Sequence, residues 1–183
     1  SGLTVHTAMD LVIQQETEKI FTEKIKFFTN EIGLPTQPIM EGAGVLINVK
    51  TGYLEAVYGG TIASPYDFSR ATQAKRQAGS SFKPLVYALA FSQTDDSGNP
   101  LWTAYDTIGN KRKTFPNTNG WRPRNNGGLY SETTTVANGL VRSQNIATAN
   151  LLQETGGPEA LIQFAQHLGF DTKDYPKEMG LSL

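Results

Sequence analysis

The chain has 183 residues, enough for one domain with a real core, and its 38% hydrophobic and 18% charged residues are ordinary for a globular protein. A formal net charge of −1 and a pI near 6.1 give no bulk basic field for nucleic acid or anionic membrane, and no apolar run approaches the ~20 residues that cross a bilayer. Zero cysteine excludes disulfides and thiolate metal sites, and with only His6 and His167 neither a zinc centre nor a Ser-His-Asp hydrolase is expected.

After an extended lead, Leu3 to Thr7, Asp10 is placed to cap a helix running to about Ile32. Phe21, Ile25, Phe28 and Ile32 repeat at helical spacing, and Gly33 with Pro35 supplies the stop. Ala43 to Gly60 predicts a hairpin: Val45, Ile47 and Val49 alternate, Lys50-Thr51-Gly52 turns, and Leu54, Ala56 and Tyr58 alternate again. Thr61 to Ala78 is polar and irregular, a loop. The next stretch, Gly79-Ser80-Ser81-Phe82-Lys83-Pro84, heads an Ala/Leu-rich run to Phe91 that predicts a buried helix, with Gly79 or Ser80 as its N-cap. Residues 93–131 form a long Gly-, Asn-, Pro- and Thr-rich loop that Trp102, Tyr105, Phe115, Trp121 and Tyr130 are expected to anchor; such loops are often functional. Thr133 to Val141 predicts a short helix, broken at Arg142-Ser143-Gln144-Asn145. A second helix runs from Ile146 to about Glu154. Pro158 starts a third, which carries Leu161, Phe164, Ala165 and Leu168 on one face and stops at Gly169. The tail from Asp171 to Leu183 completes no helix or strand.

Ser80 and Lys83 are three residues apart and so share a face of a helix. A serine hydroxyl needs a base to become a nucleophile, and a desolvated lysine is one. A helix start adds positive partial charge where an oxyanion would form. Taken alone, S-x-x-K is better read as a capping serine followed by a solvated lysine, and Ser143-x-Asn145 as a helix cap.

The combination is more specific. S-x-x-K followed by a serine-asparagine motif is the pairing of the serine acyltransferases that bind penicillin. Phe68-Ser69-Arg70-Ala71-Thr72 leading through Lys75 to Ala78 into Gly79–Pro84 resembles the class A, bifunctional high-molecular-weight penicillin-binding proteins. So do Val49-Lys50-Thr51-Gly52 with Val57-Tyr58-Gly59-Gly60, Arg122-Pro123-Arg124-Asn125 ahead of Gly128-x-Tyr130, and Arg142-Ser143-Gln144-Asn145 running into Leu151-Leu152. The resemblance implies an α/β penicillin-binding and serine β-lactamase-like fold: an antiparallel sheet flanked by helices, plus a helical subdomain carrying Ser143. It implies Ser80 as the acylated nucleophile, Lys83 as its base, Ser143 as proton relay to the leaving amine, and Asn145 as the group holding Lys83 and the substrate amide.

The third family motif, K-T-G, is expected well after the serine-asparagine pair. Lys50-Thr51-Gly52 precedes Ser80 at a predicted hairpin tip and is read as a look-alike. The true motif, further sheet strands and the second oxyanion donor are therefore expected beyond Leu183, with residues 1–183 the first part of a transpeptidase domain and the remainder present as another polypeptide. The implied activity is D-alanyl-D-alanine transpeptidation in peptidoglycan cross-linking, on the extracytoplasmic face of the membrane. Peptidoglycan stem peptides and β-lactams are the implied partners, with no nucleic acid, no cofactor and no metal. Membrane contact would come only through an anchor of a longer parent. The alternatives are a serine β-lactamase and a non-catalytic penicillin-binding sensor or scaffold.

Overall fold

Capping and edge chemistry explain the first elements of the computed structural model, which describes residues 2–31, 40–61 and 66–183. The chain divides into two units, Ser1–Arg76 and Gln77–Leu183, each taken here by itself.

In the first unit, helix α1 (Leu11–Glu31) begins where Asp10 predicts. The Asp10 carboxylate accepts hydrogen bonds from the amides of Val12 and Ile13 at 2.9 and 3.0 Å, satisfying two donors of the first turn. The predicted end at Ile32, Gly33 and Pro35 lies outside the described residues. Strands β1 (Gly44–Ile47) and β2 (Leu54–Tyr58) form the expected antiparallel hairpin, with Val45 opposite Val57 and an irregularity between Leu46 and Ile47. Val49 is not part of the alternation. It sits in the turn, 95% exposed, because the Asn48 side chain accepts from the Lys50 and Thr51 amides and closes the tip early. Gly52, at φ +73°, lets the turn return. Helix α1 packs on β2 through Phe21 stacked on Tyr58, ring centroids 4.5 Å apart; Phe28, expected on that stripe, is exposed. The outer edge of β2 is covered by the start of α1. The Asp10 amide donates to the Glu55 carbonyl, and the Gln14 side-chain amide both donates to and accepts from the Val57 backbone. One side-chain amide thus imitates a strand residue and satisfies an otherwise open edge.

In the second unit a 3-10 turn, Gly79–Phe82, runs directly into helix α2 (Lys83–Ser92). Neither Gly79 nor Ser80 caps α2 as the sequence predicts; the 3-10 turn takes up the entry, and Gly79 at φ +58° bends the chain into it. The long loop carries a strand the sequence pattern does not reveal. Strand β3 (Thr107–Gly109) pairs antiparallel with β4 (Thr133–Thr135), so helix α3 (Val136–Val141) starts three residues later than predicted. The Thr135 hydroxyl caps it by accepting from the Asn138 amide. Phe115 and Trp121 anchor the loop with centroids 5.2 Å apart, and Trp102 packs on the core, whereas Tyr105 and Tyr130 are exposed. Helix α4 (Asn145–Glu154) is the unit's axis: Ile146 through Leu152 are all buried. A helix apolar on every side belongs at the centre. Around it pack Val86, Leu89 and Ala90 of α2, Val136 of α3, and Leu161 of helix α5 (Gly157–His167). The tail adds a 3-10 turn, Met179–Ser182, absent from the sequence reading, and Tyr175 meets Phe82 edge to face.

Gly139 permits the close approach of α3. A β-carbon there would stand 2.6 Å from the Tyr87 hydroxyl and 3.2 Å from the Ala147 β-carbon. Tyr87 is fully buried and bonded to Thr148, so it has little room to yield. Gly139→Ala should therefore cost about 1–3 kcal/mol of stability in urea unfolding, despite alanine's better helix propensity. Unchanged stability would contradict this packing.

Candidate active site

The four residues singled out from the sequence all lie in the second unit, and three of them meet at one atom. Lys83, the first residue of α2, is 1% exposed. Its Nζ donates to the Ser143 carbonyl at 2.7 Å, the Ser143 hydroxyl at 3.0 Å and the Asn145 Oδ1 at 2.5 Å. All three acceptors are neutral, and among the described residues no carboxylate pairs with Lys83. Burial therefore pulls its pKa below the ordinary lysine value of 10.5.

Ser80 precedes Lys83 by one turn of the 3-10 segment, in which side chains at i and i+3 eclipse, and the Lys83 amide donates to the Ser80 carbonyl. The Ser80 side chain is exposed, and its hydroxyl has no hydrogen-bond partner among the described residues. A free, exposed hydroxyl above a buried amine is the arrangement a nucleophile and its base require, although the two make no direct hydrogen bond here. Such bonds commonly tighten only when substrate arrives.

Ser143 is placed by the end of α3. It adopts φ +50°, its amide donates to the Leu140 carbonyl, and the Gln144 amide reaches back to the Gly139 carbonyl. That pair of bonds is a Schellman ending with serine where glycine is usual. The left-handed conformation costs a non-glycine residue roughly 1–2 kcal/mol. It turns both the Ser143 carbonyl and hydroxyl onto Lys83.

Asn145 opens α4. With its Oδ1 on Lys83, its Nδ2 donates to the Arg124 carbonyl at 2.7 Å, leaving one amide hydrogen free. The Arg124 carbonyl and the buried Asn125 beside it were not picked out as site residues from the sequence; their only signal was the Arg122–Asn125 stretch. Tyr87 and Thr148 were missed as well. Their hydroxyls bond at 3.1 Å, and Thr148 donates on to the Gln144 carbonyl, holding the turn into α4.

A cleft of about 270 Å³ opens beside Ser143, lined by Asn126, Tyr130, Ser131, Arg142 and Gln144 among others. A larger hollow of about 570 Å³, between the 116–121 loop, the start of α5 and residues 177–180, contains none of the four site residues. Of the four, only Ser143 lines the smaller one. Lys50-Thr51-Gly52 occupies the β1–β2 turn, where Lys50 offers its backbone amide to Asn48.

Residues 42–180 match the model of the penicillin-binding protein transpeptidase domain. Penicillin-binding protein 1A of Neisseria lactamica is 33% identical over 147 residues, 80% of this chain and 18% of that protein. Penicillin-binding protein 1B of Haemophilus influenzae is 31% identical over 96% of this chain and 22% of that protein. The chain thus spans about a fifth of the length of these relatives. Among solved structures, the PonA1 protein of Mycobacterium tuberculosis in complex with penicillin V superposes with a TM-score of 0.72 at 27% identity, over 100% of this chain and 46% of that one. The match runs through most of the chain in sequence and all of it in fold, and the chain belongs to the penicillin-binding protein transpeptidase family, on the class A branch that its curated relatives represent.

Proposed function

We propose that this chain supplies the nucleophile, base and proton relay of a serine D-alanyl-D-alanine transpeptidase that cross-links peptidoglycan. The observation that carries the reading is the buried Lys83 amine held by Ser143 and Asn145 without a counter-ion. In its neutral form Lys83 takes the Ser80 proton as the Ser80 Oγ attacks the penultimate D-alanine carbonyl. The tetrahedral intermediate collapses as its C–N bond breaks. The departing D-alanine nitrogen takes a proton from the Ser143 hydroxyl, which recovers one from Lys83. An amine from a second stem peptide then attacks the acyl-serine, gives its proton to the same relay, and leaves as the new amide while Ser80 regains its hydrogen. A β-lactam follows the first half only, because its ring amine stays tethered in the site. The free Asn145 amide hydrogen is available to the substrate's peptide carbonyl.

A β-lactamase would need a carboxylate or equivalent base to activate water, and none bonds to these four residues among the described ones. A stable penicilloyl adduct therefore separates the readings. Intact Ser80, Lys83, Ser143 and Asn145 count against a degenerate sensor or scaffold.

Further strands and the third motif belong, in this proposal, beyond residue 183. The start of α1 covers the outer edge of β2, while the opposite edge, along β1, has no strand partner among the described residues. Added strands would pair there. We read the site as lying outside the cytoplasmic membrane, as family membership suggests; none of the described helices is long and apolar enough to cross a membrane.

In the full-length protein, a fluorescent penicillin should label the peptide containing Ser80, and Ser80→Ala should abolish the label; label on another serine would overturn the assignment. Because the Lys83 pKa is lowered, the neutral base gains population as pH rises. Acylation should climb with pH and level off below 10.5, the ordinary lysine value. On that plateau Lys83→Arg should be slower by ~10²–10⁴-fold, since guanidinium does not release its proton; near-normal rates would exclude lysine as base. Ser143→Gly and Ser143→Ala should both slow acylation, but Ser143→Gly should be the more stable by about 1 kcal/mol, because glycine relieves the left-handed strain. Equal stabilities in chemical denaturation would argue against strain at this turn.

A further inference from the structure

We propose that Asn125 is a positioning residue for acylation, fixing the Arg124 carbonyl against the start of α4 so that Asn145 can present only its oxygen to Lys83. The proposal rests on the roles given above to Ser80, Lys83 and Asn145.

Asn125 is 5% exposed and spends its amide completely. Its Oδ1 accepts from the Ile146 amide at 3.0 Å. Its Nδ2 donates to the Asn110 Oδ1 and to the Leu129 carbonyl, each at 2.9 Å. Asn110, fully buried at the end of β3, donates in turn to the Ser131 hydroxyl, and its backbone amide donates to Glu132. One side chain therefore ties the β3 end, the 126–131 loop and the first turn of α4 together.

Next to it stands a second link. The Arg124 carbonyl accepts from the Asn145 Nδ2 at 2.7 Å. Residues 124 and 125 thus meet residues 145 and 146 through two adjacent hydrogen bonds, and loosening one frees the other. This matters because a primary amide has a donor end and an acceptor end. With the Arg124 carbonyl fixed, the Nδ2 must face it, so the Oδ1 faces Lys83. Were the carbonyl free to move, Asn145 could turn its NH₂ toward the amine and lose the bond. The segments that supply these partners carry Lys111, Arg122, Arg124 and Arg142 and one acid, Glu132, which is exposed and paired with Lys111 at 2.8 Å, so no free acid there compensates for the lost acceptor. Asparagine suits position 125 because two carbonyl-type acceptors and one backbone donor converge on it. A carboxylate keeps the cap at Ile146 but places oxygen against oxygen at Leu129.

The experiment compares acylation rates against pH, using fluorescent penicillin and the full-length protein, with melting temperatures measured alongside. Asn125→Ala should slow acylation by about 10²-fold, the scale of a misplaced catalytic group. Its rising limb should move to lower pH, since losing the Asn145 oxygen, or meeting its NH₂ instead, disfavours the charged amine. Asn150→Ala is the structural control: Asn150 is also a buried α4 amide, bonded to the Gly109 carbonyl at 2.7 Å, and its loss should lower the melting temperature without moving the limb. If Asn125→Ala does not fold, Asn125→Ser, which adds no charge, should show a smaller rate loss and a shift in the same direction. A folded variant at position 125 with the wild-type limb would overturn the proposal and leave Asn125 a helix cap. Wild-type protein that takes no label at Ser80 would instead remove the reading beneath it, a result distinguishable before any variant is made.

Discussion

A lysine amine removed from water, with three neutral oxygens for company and no opposite charge, is the constraint around which the second unit is arranged. Burying an ammonium without a counter-ion is costly, and the group answers by giving up its proton more readily. A carboxylate near Lys83 would favour the ammonium and keep the amine protonated, unavailable as a base. The unit instead offers a carbonyl, a hydroxyl and an amide oxygen, which hold the amine in place without restoring its ordinary basicity. The sign for stability follows. Because the folded pKa lies below the unfolded one, the folded state gives up the Lys83 proton at lower pH. Lys83 therefore lowers stability on the acid side, and this loss fades as pH rises through the folded pKa toward 10.5.

Much of the molecule exists to bring those three oxygens together. α4 is buried along Ile146 to Leu152 so that its first residue, Asn145, is fixed by packing rather than by a loop. α3 approaches closely enough, through Gly139 beneath Tyr87, for its ending to deliver Ser143. That ending accepts a left-handed serine where glycine would be easier, the kind of local strain that collects at functional sites. The energy of the well-packed α2, α4 and α5 core offsets it.

The sequence made the helices and hairpin legible because their apolar spacing and stop signals are local. Asp10, the alternation in Val45 to Tyr58, and Gly169 after α5 each act within a few residues. The four candidate residues stood out for a different reason: two short motifs in a familiar order. Strands β3 and β4 were not, since three residues apiece are too short for a period and their pairing joins positions 26 apart, such as Ile108 and Thr134. The Ser143 conformation was hidden as well, because it is set by the two backbone bonds that end α3 and not by the serine itself. Arg124 enters through a carbonyl, which no residue type announces. Asn125 looked like one more polar residue in a polar loop until its three segments closed around it.

The account stands on the state of the Lys83 amine, and direct titration of that amine tests it most plainly. Lysine carrying ¹³C at Cε, with the Lys83 signal assigned by its loss in Lys83→Met, would report the proton through its shift against pH. The prediction is a midpoint clearly below 10.5. A Lys83 midpoint at or above that value would mean that the amine is a charged strut and not a base, and would contradict the mechanism.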